Sequence, residues 1–178
     1  SSFGDDYMCE LALPNKEISF VYRKEILQKL NNIIPQSTVI AVQEAIYSGD
    51  GQRIQKLIHD LLLQSVSCFD TVGENFYHGF MLGLCTMLSG SYTTSNRESG
   101  EGRYDIQILP KTPVLPGILI ELKAEKHCSQ EKLEQLAGIA LEQINNRKYE
   151  ADMVARGVSE IFKYGVAFNG KNVAVVVG

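Results

Sequence analysis

The sequence predicts an α/β domain: a mixed central β-sheet flanked by helices, with a helical layer at its N-terminal end. Three observations carry that expectation. With 178 residues, 44% of them hydrophobic and 21% charged, the chain has enough apolar material for one sizeable core and too much for disorder. Apolar residues recur at helical spacing up to about Leu88, and strand patterning takes over beyond Gly90. Finally, Ile118-Leu119-Ile120-Glu121-Leu122-Lys123 is apolar until its two charges, as a strand buried on both faces would be.

Taken in order, Tyr7 to Leu13 reads as a short extended segment that Pro14-Asn15 interrupts. A first helix is expected from near Glu17, on which Ile18, Tyr22, Ile26, Leu27, Leu30 and Ile33 recur. Pro35 stops it. Ser37 is placed to cap a second helix carrying Val39, Val42 and Ile46, and Gly49-Asp50-Gly51 turns the chain into a third with Ile54, Leu57, Ile58, Leu61 and Leu62. Glu74 to Leu88 is apolar on almost every side, which predicts a helix covered by several neighbours. Ser91 to Asn96 and Arg103 to Leu109 read as strands, and the Pro110 to Gly117 turn leads into a third. Ser129 caps a long helix whose Leu133, Leu136, Ala137, Ala140, Leu141 and Ile144 make a stripe wide enough to cover a sheet. Two last strands, Tyr164 to Phe168 and Asn172 to Val177, flank the hairpin signal Asn169-Gly170. The expected organisation is one domain over 1–178, with an N-terminal helical part over 1–70 and an αβββαββ core over 71–178. The stop at Gly178, straight after a Val-rich strand, suggests a piece of a longer chain.

Lys and Arg total 17 against 21 Asp and Glu, a formal charge of −4, so any binding of phosphate has to be local. No apolar run approaches the ~20 residues of a membrane-spanning helix, and Ser1-Ser2-Phe3-Gly4-Asp5-Asp6 lacks the regions of a signal peptide. A soluble intracellular protein, cytoplasmic or nuclear and with no membrane partner, is expected. Cys9, Cys68, Cys85 and Cys128 are widely spread, so neither a disulfide framework nor a structural zinc site is expected; Cys68 and Cys85 sit among apolar neighbours, as buried thiols do.

The candidate chemistry lies on two strands. Alternation puts Glu121 and Lys123 on one face of the third strand, where a buried acid and ammonium are costly unless a cation or phosphate compensates them. A strand end emerging into solvent is the alternative. On the preceding strand Asp105 faces the same way as Arg103 and Gln107. If the two strands pair, Asp105 and Glu121 become two carboxylates suited to a divalent cation such as magnesium, with Lys123 beside them.

Asp105 followed by Glu121-Leu122-Lys123 on the next strand resembles the PD-(D/E)XK nuclease superfamily, with Tyr104-Asp105 standing where the signature opens with Pro-Asp. Further segments, namely Phe76-Tyr77-His78-Gly79, Ser95 to Gly100, Gly102 to Asp105, Ala140 to Ile144 and Tyr164 to Phe168 with Gly170-Lys171, resemble the branch whose nuclease domain follows an AAA-ATPase-like region. Leu13 to Glu17 looks like the junction between the two. The resemblance implies a restriction-endonuclease-like core and a metal-dependent nuclease acting on nucleic acid, DNA before RNA, with Mg2+ or Mn2+ as cofactor. It makes Asp105 and Glu121 metal ligands, Lys123 the catalytic lysine, Glu74 a further acid from the helix before the core, and Gln143 a site residue on the helix after the Glu-x-Lys strand.

Glu74 and His78, four residues apart, share a helix face and fit a cleft edge; a helix-capping acid and a hydrogen-bonded core histidine are the alternatives. Among the cations Arg97, Arg103, Lys111, Lys126, Arg147, Lys148 and Lys171, the first two are the better candidates for phosphate contacts, because their loop borders the Asp105 strand. The rival readings are a nuclease-like binding or assembly module working with an ATPase region, and an unrelated domain whose strand charges form an ion pair. A homodimer is left open.

Overall fold

The computed structural model describes residues 34–65, 74–95, 105–112, 114–147 and 150–178. The expected first helix near Glu17, the segment Tyr7 to Leu13 and Cys68 lie outside this set. Described are helices α1 (Gln36–Tyr47), α2 (Gly51–Ser65) and α3 (Glu74–Thr86), strands β1 (Ser91–Ser95), β2 (Ile106–Pro110) and β3 (Gly117–Ala124), helices α4 (Gln130–Arg147) and α5 (Ala151–Ala155), and strands β4 (Ile161–Asn169) and β5 (Asn172–Val177). The strands form one mixed sheet in the order β1-β2-β3-β4-β5, antiparallel except for the parallel pair β3–β4. That parallel pair requires a crossover, which α4 and α5 supply.

The sheet has a covered face on each side. Ile106, Ile108, Ile118, Ile120, Leu122, Tyr164, Val166, Phe168 and Val173 share one core with Val39, Val42, Ile46, Ile54, Ile58 and Leu62 of α1 and α2 and with Tyr77, Met81 and Leu84 of α3. On the other face Ala167 and Ala174 meet Leu133 and Ala137 of α4, and Leu119 meets Ile144 and Met153. The N-terminal helices are therefore built into the sheet's own core. Tyr164 fastens them, donating its hydroxyl to the Ile46 carbonyl at 2.7 Å from inside the core. Burial also pushes the Cys85 thiol up to about 12, so it is an inert packing group.

Several boundaries differ from the sequence expectations for identifiable reasons. Helix α1 already begins at Gln36, with Pro35 in the N-cap position and no side-chain cap; the Pro35 carbonyl takes the Thr38 and Val39 amides, so Ser37 lies inside the first turn. Ser129 does cap α4, accepting from the Lys132 amide at 3.2 Å, and Asp50 likewise accepts from Arg53 at the start of α2. Strand β2 begins at Ile106 rather than Arg103, which lies outside the described residues. Helix α5 was not anticipated; five residues are too few to show a period.

The approach of α4 to the sheet is governed by Gly165. A Cβ there would overlap the Ala137 carbonyl oxygen and crowd the Leu141 amide nitrogen, so helix backbone rests directly on strand backbone. Gly138, one residue further along α4, has open space around its Cβ position. Gly165→Ala is therefore expected to destabilise the fold by about 1–3 kcal/mol or more, and Gly138→Ala to stabilise it by about 0.5–1 kcal/mol through helix propensity. Urea unfolding of the two variants checks both signs.

Candidate metal and catalytic site

Strands β2 and β3 pair as Ile106↔Ile120, Gln107↔Leu119 and Ile108↔Ile118. Continuing that register sets Asp105, the residue just before β2, across from Glu121, on the face that α4 covers. Main-chain pairing stops there because the Asp105 side chain takes over: its Oδ2 accepts the Leu122 amide at 2.8 Å, where a further ladder bond would fall. Oδ1 makes no hydrogen bond among the described residues. N–H and C=O of one strand residue point to the same side, so the Leu122 carbonyl also faces the Asp105 side.

Glu121 is 3% exposed, an extreme value for a carboxylate. Its neighbours answer the burial. Lys123 lies two residues on along the same face, with Nζ 3.4 Å from Glu121 Oε1, and Gln143 reaches down from α4 to join them. The Gln143 amide nitrogen donates to Glu121 Oε1, and its amide oxygen accepts from Lys123 Nζ at 2.8 Å. One amide thus holds acid and base in a fixed relation, using both of its functional ends. The parallel register explains how helix and strand come close enough: Glu121 is paired with Gly165, the residue against which α4 packs backbone to backbone.

His78 is buried on α3, on the opposite side of the sheet from Gln143, and points at the main chain of Asp105. Its Nε2 lies 3.3 Å from the Asp105 carbonyl oxygen and 3.0 Å from Ser95 Oγ. A carbonyl only accepts and a hydroxyl can do either, so Nε2 serves the carbonyl when it carries the ring proton and the hydroxyl in either tautomer. His78, expected at the cleft edge with a hydrogen-bonded core histidine as the alternative, is buried against the main chain of the residue that bears the first carboxylate. Glu74 opens α3 four residues earlier, but its side chain lies outside the described set, as do Arg97 and Arg103.

Ser95 and Gly165 entered the sequence reading only inside segments that carry the family resemblance, and the Leu122 amide was not singled out. Gly165 had a signal, a glycine inside an otherwise Val- and Phe-rich strand, which marks close backbone approach. The contacts of Ser95 and of the Leu122 amide had no local signal, because they depend on strand register.

The donor set fits a hard divalent cation. Two carboxylates and a main-chain carbonyl on adjacent strands are all oxygen ligands, and Mg2+ characteristically takes one or two carboxylates while keeping several waters. Among the described residues no three His, Cys, Asp or Glu side chains converge.

A family model of the PD-(D/E)XK nuclease superfamily matches residues 72–177, more than half of the chain and the whole stretch from α3 to β5. The chain belongs to the PD-(D/E)XK nuclease superfamily. Its mixed five-stranded sheet packed between helices is consistent with the core of that superfamily, whose members typically use divalent metals. No curated protein matches the chain. Among the described residues no helix is long and apolar enough to cross a membrane.

The clamp on Asp105 can be tested without any assay of activity. Outer groups that orient ligands typically change metal affinity about 10- to 100-fold, so His78→Ala is expected to weaken Mn2+ binding in that range by calorimetry. His78→Gln, whose amide nitrogen can reach the Nε2 position, is expected to restore most of it. Unchanged affinity in His78→Ala would show that the ring does not position Asp105.

Proposed function

We propose that this protein is a divalent-metal-dependent nuclease that hydrolyses phosphodiester bonds, with DNA favoured over RNA by its resemblance to the ATPase-associated branch. The observation that carries the reading is the buried Glu121 locked to Lys123 and Gln143 with Asp105 across from it. Burying an ion pair in a sheet brings little net stability, because desolvation consumes much of the Coulombic gain, so its placement at the end of the β2–β3 ladder calls for a chemical reason.

In this reading Asp105, Glu121 and the Leu122 carbonyl hold Mg2+ or Mn2+, and Glu74 adds a further acid from the start of α3. A cation bound there supplies acidification of the attacking water and offsets phosphate charge. Lys123 is no ligand, since a protonated amine has no lone pair; its ammonium, with a side chain 30% exposed, neutralises charge growing on the phosphate oxygens. Gln143 keeps that ammonium and Glu121 in register, and His78 keeps Asp105 in place. Arg97 and Arg103 contact phosphate. The AAA-ATPase-like region implied by Leu13 to Glu17 is proposed as a partner in a longer chain.

A second reading, a nuclease-like binding or assembly module, draws on the fact that both carboxylates are already hydrogen-bonded within the chain. Incubation of labelled linear and circular DNA and RNA with magnesium, manganese or chelator separates the two. Cleavage that requires the metal supports the nuclease; metal-independent binding without cleavage supports the module. Within the first outcome, Asp105→Asn is expected to lose both Mn2+ binding and cleavage while keeping an oxygen for the Leu122 amide. Lys123→Met is expected to bind Mn2+ normally and to cleave roughly a hundredfold or more slowly, the usual effect of removing one preorganised charge or acid–base group. Near-normal cleavage by Lys123→Met would refute the role given to this lysine.

A further inference from the structure

Outside β5 the surface carries a groove of about 300 Å³ lined by Gln52, Gln55, Lys56, His59, Gln130, Asn172 and Val173. It is at the low end of the ~300–1,000 Å³ range of ligand sites. Its position follows from how α2 runs beside the edge strand. Gly51 packs on Val177, Gln55 Oε1 accepts the Val175 amide at 3.0 Å, and His59 Nδ1 is 2.8 Å from the Lys171 carbonyl oxygen. While Ile54, Ile58 and Leu62 of α2 enter the core, Gln52, Gln55, Lys56 and His59 form a second, polar stripe at i, i+3, i+4 and i+7 that overhangs the strand. Gln130, at the start of α4, closes the groove from the other face of the sheet.

We propose that this groove is a second nucleic-acid subsite, which holds a phosphodiester stretch of the strand bound for cleavage; the proposal rests on the nuclease reading. Three features carry it. The first is composition: among the described residues, four primary amides, one lysine and one histidine line the groove and no carboxylate does, in a chain of net charge −4. Lysine answers phosphate, and amides serve both sugar–phosphate oxygens and base edges. Two of the amides keep an end for a ligand, since Gln55 uses its oxygen on Val175 and Gln130 uses its nitrogen on Glu134.

The second is place. Strands β3 and β4 are parallel, so Ala124, the residue after Lys123, stands level with Phe168, which in turn pairs with Val173 of the groove. The groove therefore opens at the end of the sheet where β3 leaves Lys123, two strand spacings or roughly 10 Å across from Ala124 and roughly 15–20 Å from the Asp105–Glu121 pair, about five nucleotide steps at 3.4 Å each. The third is rigidity of the ground between. The Glu125 amide donates to the Phe168 carbonyl, and Asn169 bridges the His127 amide and the Cys128 carbonyl, so the loop after Lys123 is tied to the β4–β5 hairpin. A protein strand adding to β5 is the less suitable occupant: the Val175 amide is already taken, and among the described lining residues Val173 alone is apolar.

Fluorescence anisotropy with labelled oligonucleotides in chelator, over a salt series, tests the subsite without cleavage. Lys56→Glu is expected to weaken binding roughly tenfold, and Lys56→Gln to reduce the slope of log affinity against log salt by about one. Mn2+ binding should be unchanged in both, which also shows that they are folded. Arg156→Glu, on an exposed turn before the opposite end of β4, carries the same charge change and should bind as the unmodified protein does. If Lys56→Glu binds no more weakly than Arg156→Glu, the groove is not a subsite, even though the nuclease reading stands. If the unmodified chain binds no oligonucleotide and takes up no Mn2+, the nuclease reading fails and the subsite with it.

Discussion

An ionisable side chain almost sealed inside a β-sheet is the constraint on which the functional end of this protein depends. Glu121 cannot be solvated, so its charge has to be met by the protein, and each neighbour meets part of it. Lys123 brings the opposite charge on the same strand, and Gln143 brings an amide from the covering helix. Gln143 reaches only because Gly165 has no side chain to hold α4 away. A polar group in the strand thus dictates a missing methyl in the next strand and an amide on the helix.

The second carboxylate obeys a different rule. Asp105 is held through its main chain as much as its side chain: His78, itself bonded to Ser95, meets its carbonyl from the α3 side, while its own Oδ2 replaces a ladder bond to Leu122. The two acids are anchored from opposite faces of the sheet. Their separation is set by strand geometry and not by loops, which is the arrangement expected of a site that must hold a small cation in a narrow range of distances.

Much of this was legible in the sequence because strand alternation is local. Period two alone places Glu121 with Lys123, and a short Pro-containing turn brings Asp105 beside them, so the pair of strands and their charged face could be read before any coordinates. The hairpin at Asn169-Gly170 and the Ser129 cap were legible for the same reason. Gln143 was singled out by resemblance alone, since its contact depends on helix-to-sheet distance. Less accessible was anything that depends on residues far apart in the chain: His78 against Ser95 and Asp105 requires the strand register, and the α2 stripe beside β5 joins residues more than a hundred positions apart. Composition also concealed the groove, because glutamines and a single lysine on a helix look like an ordinary solvated face.

The attachment of α2 along β5 affects assembly as well. Edge strands invite pairing with other chains, and here one edge is shielded by a helix whose glutamine side chain imitates the missing neighbour's carbonyl at Val175. At the other edge, β1 presents Tyr92 and Thr94 to solvent. Among the described strands, continuous sheet formation between two copies is therefore directed to β1, and a dimer built that way would hold its two candidate sites apart by the full width of two sheets' β1–β2 ribbons.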